Sequence, residues 1–114
     1  MIISRFEDII AWQKSKELAV LIYQNFEKSK DFGFRDQILR SSVSIMNNIA
    51  EGFERKTNNE LKYFLFIAKG SCGELRSMVI LAKELKMIPN SLYSDLYNRA
   101  EEVSKLISGF IKKL

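Results

Sequence analysis

The sequence has 114 residues, 46% of them hydrophobic and 28% charged, and 18 Lys and Arg against 14 Asp and Glu leave a net charge of +4. This size and composition predict one small domain over residues 1–114, and the mild basic excess neither requires nor excludes a nucleic-acid partner. The chain has no His and one Cys. A single chain therefore cannot form a Ser/His/Asp triad, a Cys/His pair, or a zinc site made of imidazoles or of several thiolates.

The first predicted helix follows Asp8, a residue type that caps helix N-termini. Helical spacing of apolar side chains continues to Phe26. Charged residues begin at Arg5, so the start of the sequence does not resemble a targeting signal. The longest uncharged apolar run, residues 63–68, is far shorter than the roughly 20 residues of a membrane helix. We therefore expect a cytoplasmic protein with no membrane partner, and a lone Cys fits a reducing compartment.

The second predicted helix follows a polar break near residues 28–33 and carries two different stripes. One is an apolar seam for packing against another helix, and the other is polar. The polar stripe consists of Ser41, Ser44, Asn48, Glu51 and Arg55, beside the seam residue Gly52. Two interpretations stay open: the polar groups satisfy one another against the next helix, or they form an exposed groove for a partner or a nucleic-acid backbone.

The third predicted helix begins with a capping box, in which Thr57 bonds the amide of Glu60 and Glu60 reaches back. Besides its heptad stripe, this helix has six consecutive apolar residues at 63–68. Consecutive side chains point in all directions around a helix axis, so one neighbouring layer of helices cannot cover them all. We infer a subunit contact there. The candidate interface residues are Tyr63, Phe64, Phe66 and Ile67.

Small and polar residues interrupt this bulky helix at Gly70, Ser71, Gly73 and Glu74. Small residues on facing helices permit close approach. We predict that Gly70 and Ser71 lie against the second helix, so that Leu at either position separates the two helices.

Four cations recur every seven residues along the third helix, about 10.5 Å apart. They are Lys62, Lys69, Arg76 and Lys83. Such a row can follow a phosphate backbone, and repeated copies strengthen that interaction. The alternative is that they are solvated edge residues pairing with acids of the next helix.

The fourth predicted helix begins at Pro89, placed in the first turn, and its apolar spacing continues to Leu114. Because the connections are short, sequential helices are expected to be neighbours. The predicted fold is all-α, an antiparallel up-down-up-down four-helix bundle.

Catalytic constellations are weak in this sequence. A carboxylate pair such as Glu51 and Glu74 across the bundle is the one enzyme-class hypothesis, but the Glu-x-x-His pattern of bundle metal sites needs His. We therefore expect no enzyme activity, no cofactor and no metal.

The string Ser44-Ile-Met-Asn-Asn-Ile-Ala-Glu-Gly52, followed by Arg55, resembles the four-helix bundle proteins encoded in intervening sequences of bacterial 23S rRNA genes. Further matching residues are Phe6, Asp8, Ile9, residues 12–14, Phe64, Leu65, residues 67–71, Glu74 and Leu75, so the resemblance covers nearly the whole chain. Many members carry Pro in place of Met46 and often an acid in place of Arg76, which leaves an acidic site there in doubt.

The family is similar to accessory proteins of diversity-generating retroelements. That likeness implies a homopentameric barrel with a basic surface that contacts reverse transcriptase and nucleic acid. The leading expectation is thus a non-enzymatic homo-oligomer that binds RNA or DNA through Lys62, Lys69, Arg76, Lys83 and Arg55, as adaptor to a reverse transcriptase or another protein. The alternative is a protein-interaction scaffold without nucleic-acid affinity.

Overall fold

A computed structural model describes residues 2–114, which form helices and short connections without a strand. A 3₁₀ turn, Phe6–Asp8, precedes four α-helices. These are α1 (Ile10–Phe26), α2 (Phe32–Phe53), α3 (Asn58–Glu84) and α4 (Asn90–Lys112). The predicted all-α class is confirmed, and the four helices fit the predicted bundle.

Side-chain caps mark the starts of two helices. The Thr57 hydroxyl accepts a bond from the Glu60 amide at 3.1 Å, which confirms the predicted cap of α3, and it donates to the Glu60 carboxylate at 3.1 Å. Asp31 caps α2 by accepting from the Phe34 amide at 3.2 Å. The prediction that Asp8 caps the first helix is wrong, because Asp8 lies in the 3₁₀ turn and α1 has no side-chain cap.

The connection from α3 to α4 begins with a left-handed turn at Lys86, whose φ is 59°. The Met87 amide donates to the Ala82 carbonyl at 2.9 Å, which satisfies an end carbonyl of α3 as in a Schellman motif. Pro89 then occupies the N-cap position of α4, one residue before the predicted first-turn position.

Each helix packs against two neighbours: α1 and α3 both contact α2 and α4, and the molecule measures 43 × 23 × 19 Å. The predicted apolar stripes form the core, where burying each large side chain contributes about 1.5–3 kcal/mol. The largest fully buried side chains are Phe26, Leu18, Ile22, Ile38, Ile45, Ile49, Leu65, Leu75, Leu96, Ile107, Val79 and Val103. Within residues 2–114, no helix combines the length and the apolarity needed to cross a bilayer.

Candidate functional site

Two cations of the row, Arg76 and Lys83, contact α4, and the seven-residue spacing puts Lys62 and Lys69 on the same side of α3. Lys69 is exposed, whereas Lys62, Arg76 and Lys83 are half-buried. Arg76 reaches α4, where its Nη1 lies 3.5 Å from Glu101 Oε2, and Lys83 Nζ lies 4.5 Å from the centre of the Tyr93 ring. Arg76 is therefore the cation of the row for which the alternative interpretation, pairing with an acid of the next helix, holds.

Arg55 lies apart from this row. Its guanidinium pairs with Glu51 at 3.1 Å and sits over the Phe64 ring, with the guanidinium carbon 4.8 Å from the ring centre. Phe64 points toward α2, where its Cβ approaches Gly52. Arg55 thus borders the α2 side of α3, while the row borders the α4 side.

The polar stripe of α2 bonds to α3 at one point. The Ser44 and Ser71 hydroxyls are 2.8 Å apart, and the Asn48 side-chain amide donates to the Ser44 carbonyl at 2.8 Å and hydroxyl at 3.0 Å. These bonds agree with the interpretation that polar groups satisfy one another between helices. Ser41 is buried and bonds the Ile38 carbonyl of its own helix at 3.0 Å.

The carboxylates proposed for catalysis do not meet. Gly52 contacts α3 at Leu61 and Phe64, so the neighbouring Glu51 lies level with these residues. Glu74 is ten or more residues further along α3, about 15 Å at the rise of a helix. Both side chains are exposed, and Glu51 pairs with Arg55, so the structure does not support a shared carboxylate site.

Close approach of α2 and α3 is achieved at Gly52 rather than at Gly70. A Cβ on Gly52 would lie 2.8 Å from Phe64 Cβ and 3.1 Å from Leu61 Cδ1, whereas a Cβ on Gly70 would meet nothing within 4 Å. The prediction that Gly70 lies in this contact is wrong. Gly70 follows Ala68 by two residues, which at 3.6 residues per turn puts it on the opposite side of the helix from that buried residue.

The side of α3 that faces away from the bundle carries exposed apolar residues near both of its ends, and the exposed residues between them are Gly70, Glu74 and Ser77. We call this side the outer face of α3. Of the candidate interface residues, Tyr63 is 63% exposed, Phe66 57% and Ile67 37%, while Phe64 is half-buried. Sequence reasoning missed the continuation of this face, although extending the helical spacing from Tyr63 reaches it. The additional exposed residues are Ile80, Leu81 and Leu85.

Sequence reasoning also missed an apolar groove between the N-terminal segment and the end of α4. The groove encloses about 440 Å³. Its main apolar residues are Ile3, Ile9, Leu106 and Phe110, and Asp8, Lys105 and Lys113 add charges. No spacing pattern within one helix reveals it, because it forms only where two distant segments meet.

Buried between α3 and α4 is Cys72, the one thiol of the chain. Its Sγ donates to the Ala100 carbonyl at 3.0 Å. Burial raises the pKa of the thiol from 9.0 to about 11, and nearby Arg76 and a Ser104 backbone hydrogen bond offset part of that rise. The geometry is that of a packed, protonated thiol.

A family model described as 23S rRNA-intervening sequence protein matches residues 7–109. A solved structure from Bacteroides thetaiotaomicron, described as a protein of unknown function from the S23 ribosomal protein family, has 29% sequence identity and a TM-score of 0.86. The alignment covers 90% of this chain and 99% of that one. No curated protein matches this chain significantly.

Proposed function

Because this chain belongs to the 23S rRNA-intervening sequence protein family, we propose that it is a homo-oligomeric helical bundle that binds nucleic acid and has no enzyme activity. The observation that carries the proposal is the exposed apolar outer face of α3. Tyr63, Phe66 and Ile67 expose their apolar side chains together near the start of α3, and such a cluster on a small protein marks an interaction site.

The proposed assembly is a pentamer working in the cytoplasm, similar to the accessory proteins of diversity-generating retroelements, and serving as adaptor to a reverse transcriptase or other nucleic-acid enzyme. Within each subunit we propose the up-down-up-down antiparallel order. That order is supported by Ser44 contacting Ser71 while the later Gly52 contacts the earlier Leu61. The connections of four or five residues also favour it.

Nucleic acid would bind through the cation row, which assembly repeats in every subunit. Lys69 is exposed, and Lys62 and Lys83 form no ion pair with a carboxylate among residues 2–114. These charges remain available for phosphate contacts, whose contributions accumulate with their number.

The test measures the mass of the assembled protein and its affinity for RNA. Light scattering should give a multiple of the 13.3 kDa chain mass, and structured RNA retained on filters should be released as salt rises. Lys69→Glu should weaken retention, while Lys28→Glu, an exposed cation outside the row, should weaken it less. A monomeric mass, or RNA binding that is absent or insensitive to salt, contradicts the proposal.

The apolar groove beside the N-terminal segment favours a second candidate function, a scaffold for a protein partner. Its apolar lining and its charges, Lys105 and Lys113 against Asp8, fit an amphipathic helix that carries more acidic than basic flanking residues. This candidate predicts an assembled protein without RNA affinity at physiological salt, and a protein partner that Leu106→Glu releases.

A further inference from the structure

We propose that the outer face of α3 in one subunit packs on the apolar groove of the next, so that the occupant of the groove is a second copy of this chain. This inference rests on the proposed function and names both halves of the subunit contact. The groove lies between the start of α1 and the end of α4, and α1 and α3 occupy opposite corners of the bundle, each packed on α2 and α4. One subunit can therefore present both surfaces at once to two different neighbours.

Residue spacing supports this pairing. Four exposed residues of α3 follow one another at intervals of three, four and seven, and they are Glu60, Tyr63, Ile67 and Glu74. The side of α4 that borders α1 carries four residues at the same intervals in the opposite direction, and they are Lys113, Phe110, Leu106 and Arg99. Antiparallel helices have the same rise per residue, so all four pairs come level in a single register.

Chemical character agrees at each step of that register. The two middle pairs are apolar on both helices, whereas the two outer pairs join a carboxylate to a cation. The apolar pairs are Tyr63 with Phe110 and Ile67 with Leu106, and the charged pairs are Glu60 with Lys113 and Glu74 with Arg99. Arg99 uses its Nε toward Asp95, which leaves both Nη groups to face Glu74. Complementary charges of this kind fix the register of an interface.

The register also predicts a fifth pair. One heptad beyond Glu74 is Leu81, which is 44% exposed, and one heptad before Arg99 is Leu92. Both are apolar, so the pairing covers part of the second exposed apolar cluster of α3 as well as the first.

The height of the pairing suits a closed ring. Inside one subunit the Cys72 Sγ bonds the Ala100 carbonyl, which places these residues at one level. The proposed register puts Cys72 level with Glu101 of the next copy, a difference of one residue or about 1.5 Å. Successive copies are then related by rotation with almost no rise, and a heterologous contact without rise closes into a ring instead of growing as a filament.

Disulfide cross-linking tests the register. On oxidation, the double variant Ile67→Cys/Leu106→Cys should give a ladder of covalent multimers on a non-reducing gel, because facing residues bring their Cβ atoms within disulfide range. Ile67 and Leu106 of one chain lie on separate surfaces, and the native Cys72 is buried, so no bond within the chain competes. Ile67→Cys/Asn98→Cys is the control and should give no ladder, since the exposed Asn98 lies about 12 Å along α4 from Leu106.

Charge reversal tests the outer pair of Glu74 and Arg99. Glu74→Arg should raise the protein concentration needed for half assembly about two- to fivefold, the factor for losing an exposed ion pair, and adding Arg99→Glu should restore it. Glu54→Arg is the control and should leave assembly unchanged, because Glu54 is an exposed acid of α2 outside the pairing. Light scattering over a dilution series measures assembly, and circular dichroism checks that every variant folds. A double variant that assembles no better than Glu74→Arg contradicts this pair.

The possible outcomes separate a failure of this pairing from a failure of the proposed function. If wild type has a multiple of the chain mass but the cross-linked ladder is absent, the groove is not the partner of α3, and the proposed function stands. A covalent dimer from Ile67→Cys alone would show two α3 faces packed on each other and overturns the pairing. If Leu106→Glu releases a different protein while the mass stays the same, that protein occupies the groove instead. A wild type with the mass of one chain contradicts the proposed function itself.

Discussion

At the scale of single residues, the environment of Cys72 has a thermodynamic consequence. Its pKa of about 11 in the folded chain lies above the ordinary 9.0. Between these values the unfolded chain releases the thiol proton while the folded chain retains it. The unfolded state thus binds fewer protons there, and stability decreases as pH rises.

We predict that the free energy of unfolding decreases more steeply between pH 9 and 11 for wild type than for Cys72→Ala. The difference should reach about 2–3 kcal/mol at the upper end, because each pKa unit corresponds to about 1.4 kcal/mol. Urea denaturation at a series of pH values measures it. Every other titratable group is the same in both proteins and cancels in the comparison, so parallel curves would contradict the prediction.

The chemistry of these residues could be predicted from sequence only in part. Spacing placed Arg76 in line with three lysines, but its contact with Glu101 depends on how α4 is rotated about its own axis. The same dependence hides the acceptor of the Cys72 thiol, the Ala100 carbonyl, whereas the burial of Cys72 follows from its place in the heptad stripe of α3.

At the scale of helices, the two glycines Gly52 and Gly70 provide a matched pair. Gly52→Ala should destabilise the chain, because overpacking costs about 1–3 kcal/mol and the new methyl would lie 2.8 Å from Phe64 Cβ. The gain in helix propensity, at most about 1 kcal/mol, offsets only part of that cost. Gly70→Ala should stabilise by about 0.5–1 kcal/mol, since its Cβ meets nothing.

Chemical denaturation of both Gly→Ala variants measures the change in the free energy of unfolding relative to wild type. Stabilisation by Ala at both positions would show that α2 and α3 have room at Gly52 and would contradict the close approach. Ser71→Leu, which breaks the bond to Ser44, should also destabilise, by about 1–3 kcal/mol.

The helices themselves were the most predictable feature, because their apolar spacing repeats over many turns. Their starts were predictable only where a side chain caps them, as Thr57 does for α3. At α1 the chain turns through a 3₁₀ segment before the helix begins, and Asp8 has the right chemistry at the wrong position. The predicted polar break over residues 28–33 includes Gly33, yet Gly33 lies within the first turn of α2.

At the scale of the whole molecule, the outer face of α3 carries the prediction about assembly. Phe66→Glu should lower the mass measured by light scattering toward that of one chain, because a buried unpaired carboxylate is costly at an apolar interface. Val20→Glu is the control, since Val20 is comparably exposed, at 50%, but lies on α1. Equal masses for wild type and both variants would show that the outer face of α3 is not the subunit interface.

The bundle class follows from composition and periodicity, whereas the interface does not. An apolar run that surrounds its helix indicates that something covers the second side, and Tyr63 and Phe66 are indeed exposed in the single chain. The number of copies depends on the angle between subunits, which no spacing within one chain encodes.

The pairing of α1 with α4 also affects the chain during its synthesis. It joins the first and last helices, whereas the other helix pairs in contact are sequential. At about 5–20 residues per second, the 30 residues after Glu84 take roughly 1.5–6 s to make. Until α4 has been made, α1 and α3 lack one of their two helical neighbours, so α4 closes the core last and the unfinished chain exposes apolar residues that chaperones can shield.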